Sequence, residues 1–195
     1  MAPSLSLTLA TLFLYVNKSF ASPDAATTQA CTDIQNALPG KVLTPGLLAL
    51  EYDHETQQYW STALRGVDPA CIVQPSAAED VAAVVKVLNK YPSVRFAVRS
   101  GGHDTNPGHS TIPDGVQIVM TDLAGATYDA DEDLAYVKPG GEWNDVIQDL
   151  APSGVAVAGG RLGMYCFLSL WHLATAGWTL STLKEWQKLG VLRSY

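Results

Sequence analysis

The sequence predicts an α+β fold that contains a βαβ unit and a mixed sheet. Residues 70–100 have the pattern strand, helix, strand with short links, which is typical of two parallel strands joined by a crossover helix. Residues 115–123 and 134–141 have the composition of two further strands. The chain has 195 residues, 47% of them hydrophobic, which is enough for one domain with a proper core.

Residues 1–21 are predicted to form a secretory signal peptide. The apolar run LSLTLATLFLYV (5–16) has signal-peptide length and is short for a membrane span. Ser19 and Ala21 fit the −3 and −1 positions of a cleavage site, although the first four residues carry no basic side chain. The alternative is a membrane anchor, which Lys18 and the short run disfavour. We therefore expect a secreted protein with no membrane attachment after cleavage.

The three cysteines lie far apart in the sequence. In an oxidising compartment Cys31 and Cys71 are the favoured disulfide, and two buried thiols are the alternative. Cys166 belongs to the C-terminal tail. The sequence has no C-x-x-C motif, so it gives no support to a zinc site or a thioredoxin-like motif.

The first half of the chain gives the βαβ unit. Residues 22–46 are mixed, small and proline-containing, which predicts an arm. The segment ACIVQP (70–75) predicts a strand, and VRFAVRS (94–100) predicts a second strand lying beside it in parallel. Between them Ser76 and Glu79 fit a capping box, and the helix that follows has an apolar stripe of Val81, Val84, Val85 and Leu88.

The second half predicts three strands and a helix. GVQIVMTDL (115–123) alternates as a half-buried strand does, and LAYVKPGG (134–141) is a strand that ends at its proline. The segment 142–151 is a helix whose apolar face comprises Trp143, Val146, Ile147 and Leu150. GVAVAGG (154–160) predicts a further strand. From Met164 the composition changes to an apolar, tryptophan-rich tail, 164–195.

A glycine pair follows each of three predicted strands. Gly101 and Gly102 lie at the carboxyl end of a parallel strand, where open α/β sheets bind ligands. Glycines allow successive N–H groups to point into one cavity, and such nests bind phosphate oxygens. Arg99 either adds a charge-assisted bond there or folds away as a solvated strand end. Two more pairs, Gly140–Gly141 and Gly159–Gly160, suggest three loops converging on one long ligand, although each pair alone is also common in ordinary turns.

The charge and the missing motifs exclude several classes of function. A formal net charge of −7 disfavours nucleic acid and anionic membranes as partners, so a bound anion must be held by local donors. The sequence contains no G-x-G-x-x-G, Walker, H-E-x-x-H or G-x-S-x-G motif. His103, Asp104 and His109 have metal-ligand side chains but no supporting spacing, so no metal is expected.

Four segments together carry a family resemblance: VRSGGHD, GVQIVMTDL, VKPGGEWNDVI and VAGGRLG. They resemble the FAD-linked oxidases of the p-cresol methylhydroxylase (PCMH), or vanillyl alcohol oxidase, superfamily, and most closely its berberine-bridge-enzyme-like fungal branch. The resemblance runs from about Cys31 to Gly163. It implies that residues 22–163 are the N-terminal portion of a PCMH-type FAD-binding domain, incomplete, and that Cys31 and Cys71 form a disulfide.

The resemblance also assigns the cofactor, FAD, to individual residues. His103 matches the histidine that bonds covalently to the 8α carbon of the flavin. Leu162 stands where some relatives have a second attachment cysteine, which implies a single link. The pyrophosphate cradle matches Arg99, Ser100, Gly101, Gly102, His103 and Asp104, with Gly108 in its continuation. The further cofactor-lining loops match Gly140, Gly141, Gly159 and Gly160.

The implied function is that of an FAD-dependent oxidoreductase, which oxidises a small organic substrate and passes electrons to dioxygen. A neutral imidazole is a nucleophile, which suits His103 to the attachment. The segments that carry the family's catalytic base and substrate domain have no counterpart after Gly163, so no catalytic residue is assigned. The alternatives are a truncated, non-catalytic secreted fragment and a partner-binding protein that docks through residues 164–178.

Overall fold

The computed structural model describes residues 23–157; the predicted signal peptide (1–21), the glycine pair 159–160 and the tail (164–195) lie outside the described residues. The mixture of helices with a mixed sheet confirms the predicted α+β class. The helices are α1 (Ala25–Ala37), α2 (Leu50–Thr56), α3 (Ala78–Leu88) and α4 (Trp143–Leu150), with single 3₁₀ turns at Thr62–Leu64 and Ala151–Ser153. The strands are β1 (Val42–Leu43), β2 (Cys71–Val73), β3 (Phe96–Arg99), β4 (Val116–Val119), β5 (Ala126–Asp129) and β6 (Leu134–Val137).

The main sheet has four strands in the order β1-β2-β4-β3. Strands β2 and β3 are parallel, as predicted, but they are not neighbours, because β4 lies between them and pairs with both. The prediction that β4 is half-buried is also wrong, since all four of its residues are buried. A central parallel strand is covered on both faces, so an apparent alternation of polar and apolar residues there does not mark a solvent face.

Helix α1 replaces the predicted arm. Asp24 caps it by accepting a hydrogen bond from the N–H of Thr27 at 2.7 Å. Ala30 and Ile34 are fully buried in the main core, which also contains Val84 of α3 and Val116 of β4. Alanine is a good helix former, and burial of one face stabilises a helix that also contains threonines and a cysteine. This burial is what composition alone could not show.

Helix α3 begins one residue later than the predicted capping box requires. The carboxylate of Asp80, not that of Glu79, accepts hydrogen bonds from the N–H groups of Ser76 and Ala77, at 2.9 and 3.0 Å. The buried face is formed by Val84, Val87 and Leu88, with Val81 packed beside them, whereas the predicted Val85 is exposed.

The second sheet is the antiparallel hairpin β5–β6, of which only β6 was predicted. Helix α4 packs against it through Trp143, Val146 and Leu150. The prediction that Ile147 shares this buried face is wrong, since Ile147 is 60% exposed. Residues 154–157 are not a strand, contrary to the prediction for that segment. Among residues 23–157, the structure contains no helix with the length and apolar character needed to cross a membrane.

Candidate cofactor site

Three parallel strands end at one edge of the main sheet. The register pairs Val73 with Ile118 and Arg99 with Val119, so β2, β4 and β3 finish within about one residue of each other. The loop 100–110 leaves β3 at this edge. This is the edge at which open α/β sheets bind ligands, so the predicted cofactor loop occupies the expected place.

The loop requires glycine at position 102. Gly102 has φ of +70°, and a Cβ atom there would lie 2.5 Å from the carbonyl oxygen of Gln58. The Trp60 N–H donates to the Gly102 carbonyl at 3.1 Å, so the loop is held against the segment 58–60. A left-handed residue after Gly101 is the backbone geometry in which successive N–H groups form an anion nest.

Gly108, further along the loop, is in a different situation. It also has a positive φ, +83°, but a Cβ atom there would meet nothing within 4 Å. The backbone turn therefore favours glycine, while the space around it does not require one.

Arg99 is neither a solvated strand end nor available for a phosphate. It is 1% exposed, its Nη1 donates to the carbonyl of Glu55 at 2.6 Å, and its Nη2 pairs with the Glu55 carboxylate. The guanidinium carbon also lies 5.1 Å from the centre of the Tyr59 ring. Both terminal nitrogens of the buried guanidinium have protein partners, while its Nε has none among the described residues. A phosphate in the adjacent loop would therefore need backbone N–H donors, which a two-glycine nest provides.

Ser100 joins the first glycine loop to the second. Its Oγ donates to the Pro139 carbonyl at 2.7 Å, so the loop after β3 and the loop after β6 lie side by side. Gly140 and Gly141 are buried there, and a Cβ atom on Gly140 would lie 1.6 Å from the Met120 carbonyl oxygen. The fold itself thus requires Gly140, and two of the three predicted glycine pairs come together.

His103 and Asp104 are half-buried in the loop. The Asp104 carboxylate accepts hydrogen bonds from the backbone and side-chain amides of Asn106, both at 2.8 Å, and its Oδ2 lies 3.0 Å from His109 Nδ1. Burial raises the pKa of Asp104, but the bonds from Asn106 and His109 outweigh it, and the net pKa is below the ordinary value. Asp104 is therefore an ionised brace of the loop, and its charge repels rather than binds phosphate.

The structure does not group His103, Asp104 and His109 as three metal ligands. Within the part of the chain that the structure describes, no three His, Cys, Asp or Glu side chains are grouped to hold a metal ion.

The far end of the loop is fixed by two side chains that the sequence analysis missed. The Ser110 carbonyl accepts hydrogen bonds from the hydroxyl of Tyr59 and from Nε2 of Gln117, both at 3.0 Å. Tyr59 and Gln117 are 5% and 2% exposed. A glutamine among the valines of a central strand was the available signal, because a buried amide requires partners.

A shallow pocket of about 390 Å³ lies beside this edge, between α2 and the end of β2. Its lining includes two carboxylates, Glu51 and Glu55, together with His54, Leu50 and Gln74. Glu55 is paired with Arg99, and the carboxylate of Glu51 disfavours a phosphate in this pocket.

Comparisons with known proteins agree with this geometry. Residues 69–163 match the family described as FAD binding domain. Over 113 residues the chain is 39% identical to an uncharacterized FAD-linked oxidoreductase of Arthroderma benhamiae, an alignment that covers 58% of this chain and 23% of the relative. Over 132 residues it is 33% identical to the FAD-dependent monooxygenase sdcF of Emericella nidulans, covering 67% of this chain and 27% of the relative.

A solved structure shares the fold. Physcomitrella patens BBE-like 1 superposes with a TM-score of 0.57 at 19% identity, over 72% of this chain and 30% of that one. The chain spans about a quarter of the length of the curated relatives it matches.

Proposed function

We propose that this chain belongs to the PCMH-type FAD-linked oxidoreductases, since its residues 69–163 match the FAD binding domain family. We further propose that FAD is attached to it covalently through His103. The observation that carries the proposal is the loop 100–110, which places His103 directly after the left-handed Gly102 at the carboxyl edge of the sheet. The protein so formed oxidises a small organic substrate with dioxygen as the acceptor.

The backbone of this chain would hold the phosphates. The segment Ser100–Asp104 supplies N–H donors, and the loop at Gly140–Gly141 lies against it through the Ser100–Pro139 hydrogen bond. Gly108 and the pair Gly159–Gly160 complete the proposed lining. Arg99 contributes from behind by holding the start of the loop, because its guanidinium is bound to Glu55. Backbone donors act without any overall positive field, which suits a chain of net charge −7.

The imidazole of His103 is the proposed nucleophile. One of its nitrogens forms a bond to the 8α carbon of the flavin. The attachment would release one proton from that carbon and one from the imidazole, and dioxygen would accept these two protons and two electrons to give hydrogen peroxide. When bound, FAD supplies the hydride-accepting and electron-transferring chemistry.

Secretion is part of the proposal. The structure joins Cys31 in α1 to Cys71 in β2 by a disulfide, with the two Cα atoms 6.1 Å apart. Disulfides persist in oxidising compartments, which supports secretion. The proposed division is a signal peptide (1–21), an FAD-binding portion (22–163) and a distinct tail (164–195). A covalent bond would also keep the cofactor from being lost outside the cell.

The test is flavin fluorescence on denatured protein. The full chain is secreted, purified, denatured and run on a gel, with His103→Ala and the exposed-histidine control His54→Ala beside it. We expect a fluorescent band for the wild type and His54→Ala, and a dark band for His103→Ala. A dark wild-type band from folded, FAD-saturated protein would overturn covalent attachment, and a fluorescent His103→Ala band would move it to another residue.

A further inference from the structure

We propose that Tyr59 is a positioning residue for flavin attachment, because the segment Glu55–Trp60 holds the loop 100–110 directly before it, near its start and at its end. The inference rests on the proposed attachment at His103. It assigns a role to a segment that lies outside the matched residues 69–163.

The start of the loop is held through Arg99. Its Nη1 donates to the carbonyls of Glu55 and Gln58, at 2.6 and 3.3 Å, and its guanidinium lies over the Tyr59 ring. A guanidinium at this distance from an aromatic face is attracted by the ring, and the attraction is stronger away from water. Arg99 and Tyr59 are both buried, so the last residue of β3 is fixed relative to α2.

The loop is also held at Gly102, directly before His103. The Gly102 carbonyl accepts a hydrogen bond from the N–H of Trp60. A Cβ atom at Gly102 would lie 3.3 Å from Cδ1 of the Tyr59 ring, so the ring forms the surface on which the backbone before His103 rests. Movement of this ring would therefore move the proposed nucleophile.

The end of the loop is held by the Tyr59 hydroxyl. It donates to the Ser110 carbonyl at 3.0 Å, across 51 residues of sequence. Burial, the largest effect, raises the pKa of Tyr59 above its ordinary value, so the hydroxyl keeps its proton and remains a donor at neutral pH. The Tyr59 side chain thus lies against Arg99 just before the loop, beside Gly102 within it, and is bonded to Ser110 at its end.

Such holding matters for a bond-forming step. A nucleophile gains rate when its reacting atom is kept within a few tenths of an ångström of its target, and a loosened support loses that gain. The hydroxyl of Tyr59 never touches the flavin in this proposal. Its effect passes through the loop backbone.

The experiment compares Tyr59→Phe with Tyr52→Phe in the full chain. Tyr52 is the matched control, because its hydroxyl also donates to a backbone carbonyl from a buried position, here to Pro69 at 2.7 Å, away from the loop. Both variants lose one buried hydroxyl bond, and both keep the ring. The readouts are the rate of covalent flavin attachment and the hydrogen–deuterium exchange of the peptide covering residues 100–110, the second measured without flavin.

We expect Tyr59→Phe to slow attachment about fivefold and to speed exchange in that peptide about fivefold, the change that loss of one hydrogen bond gives. Tyr52→Phe should change either quantity less than about twofold. The two variants should lower the melting temperature by similar amounts, because each loses one buried hydroxyl bond. Equal exchange in the two variants, or equal attachment rates in protein that does attach flavin, would overturn the inference. Wild-type protein that attaches no flavin would instead overturn the proposed function and with it the role of Tyr59 in attachment, while the exchange result would still show whether Tyr59 holds the loop.

Discussion

The loop 100–110 shows how single residues fix a path for the backbone. Gly102 combines a positive φ with a close approach to the Gln58 carbonyl, whereas Gly108 has the positive φ alone. The sequence analysis placed both glycines in the cofactor loop but could not show that only Gly102 is closely packed. Tyr59 was missed because its contact with Ser110 spans 51 residues, and no local pattern reports so distant a partner.

The two glycines give a paired prediction. Gly102→Ala should lower the free energy of unfolding by about 3 kcal/mol, since a strained left-handed alanine and a clash with backbone add together. Gly108→Ala should lower it by about 1 kcal/mol, because only the backbone strain applies. Urea unfolding of both variants measures the difference. Equal losses would mean that the close contact at Gly102 is relieved by movement of the segment 58–60.

At the scale of elements, the sequence predicted most strands and missed their order. The strands within 70–75 and 94–100 are apolar runs bounded by proline or glycine, so local signals suffice for them. The insertion of β4 between them depends on which strand can be covered on both faces, a property of the whole sheet. Helix α3 starts one residue later than predicted because the carboxylate of Asp80, and not that of Glu79, accepts the hydrogen bonds of the Ser76 and Ala77 amides.

The joining of α1 to β2 by the disulfide is the second prediction. Replacing Cys31 and Cys71 together by alanine should lower the free energy of unfolding by about 3–4 kcal/mol, the chain-entropy value for a closed loop of this length. The sequence separation is 40 residues, and both cysteines lie in the core. Denaturant unfolding measures the loss. Dithiothreitol should destabilise the wild type alone, so an equal response of the double variant would contradict a Cys31–Cys71 bond.

On the scale of the whole molecule, the described side chains that support the glycine loops are distinct from the backbone groups proposed to bind the cofactor. Arg99, the last residue of β3, is paired with Glu55, and Glu51 adds a further carboxylate to the neighbouring pocket. The net charge of the chain is −7, so no broad field draws an anion towards this edge. Among the described residues, the groups proposed to hold FAD at this edge are therefore the backbone donors of the two adjoining glycine loops.

This distribution of charge predicts how the chain responds to free FAD. In His103→Ala, which cannot form the covalent bond, FAD at about 100 times its dissociation constant should raise the free energy of unfolding by about 2.7 kcal/mol. Flavin mononucleotide, which lacks the pyrophosphate link, should stabilise less at the same concentration. The stabilisation by FAD should survive a rise from about 0.05 to about 0.5 M salt, because screening weakens an attraction between net charges far more than short hydrogen bonds. Thermal unfolding across a titration of each flavin measures all three. Loss of the FAD effect at high salt would mean that side-chain cations outside the described residues bind the cofactor. Equal stabilisation by the two flavins would mean that the glycine loops do not bind the pyrophosphate.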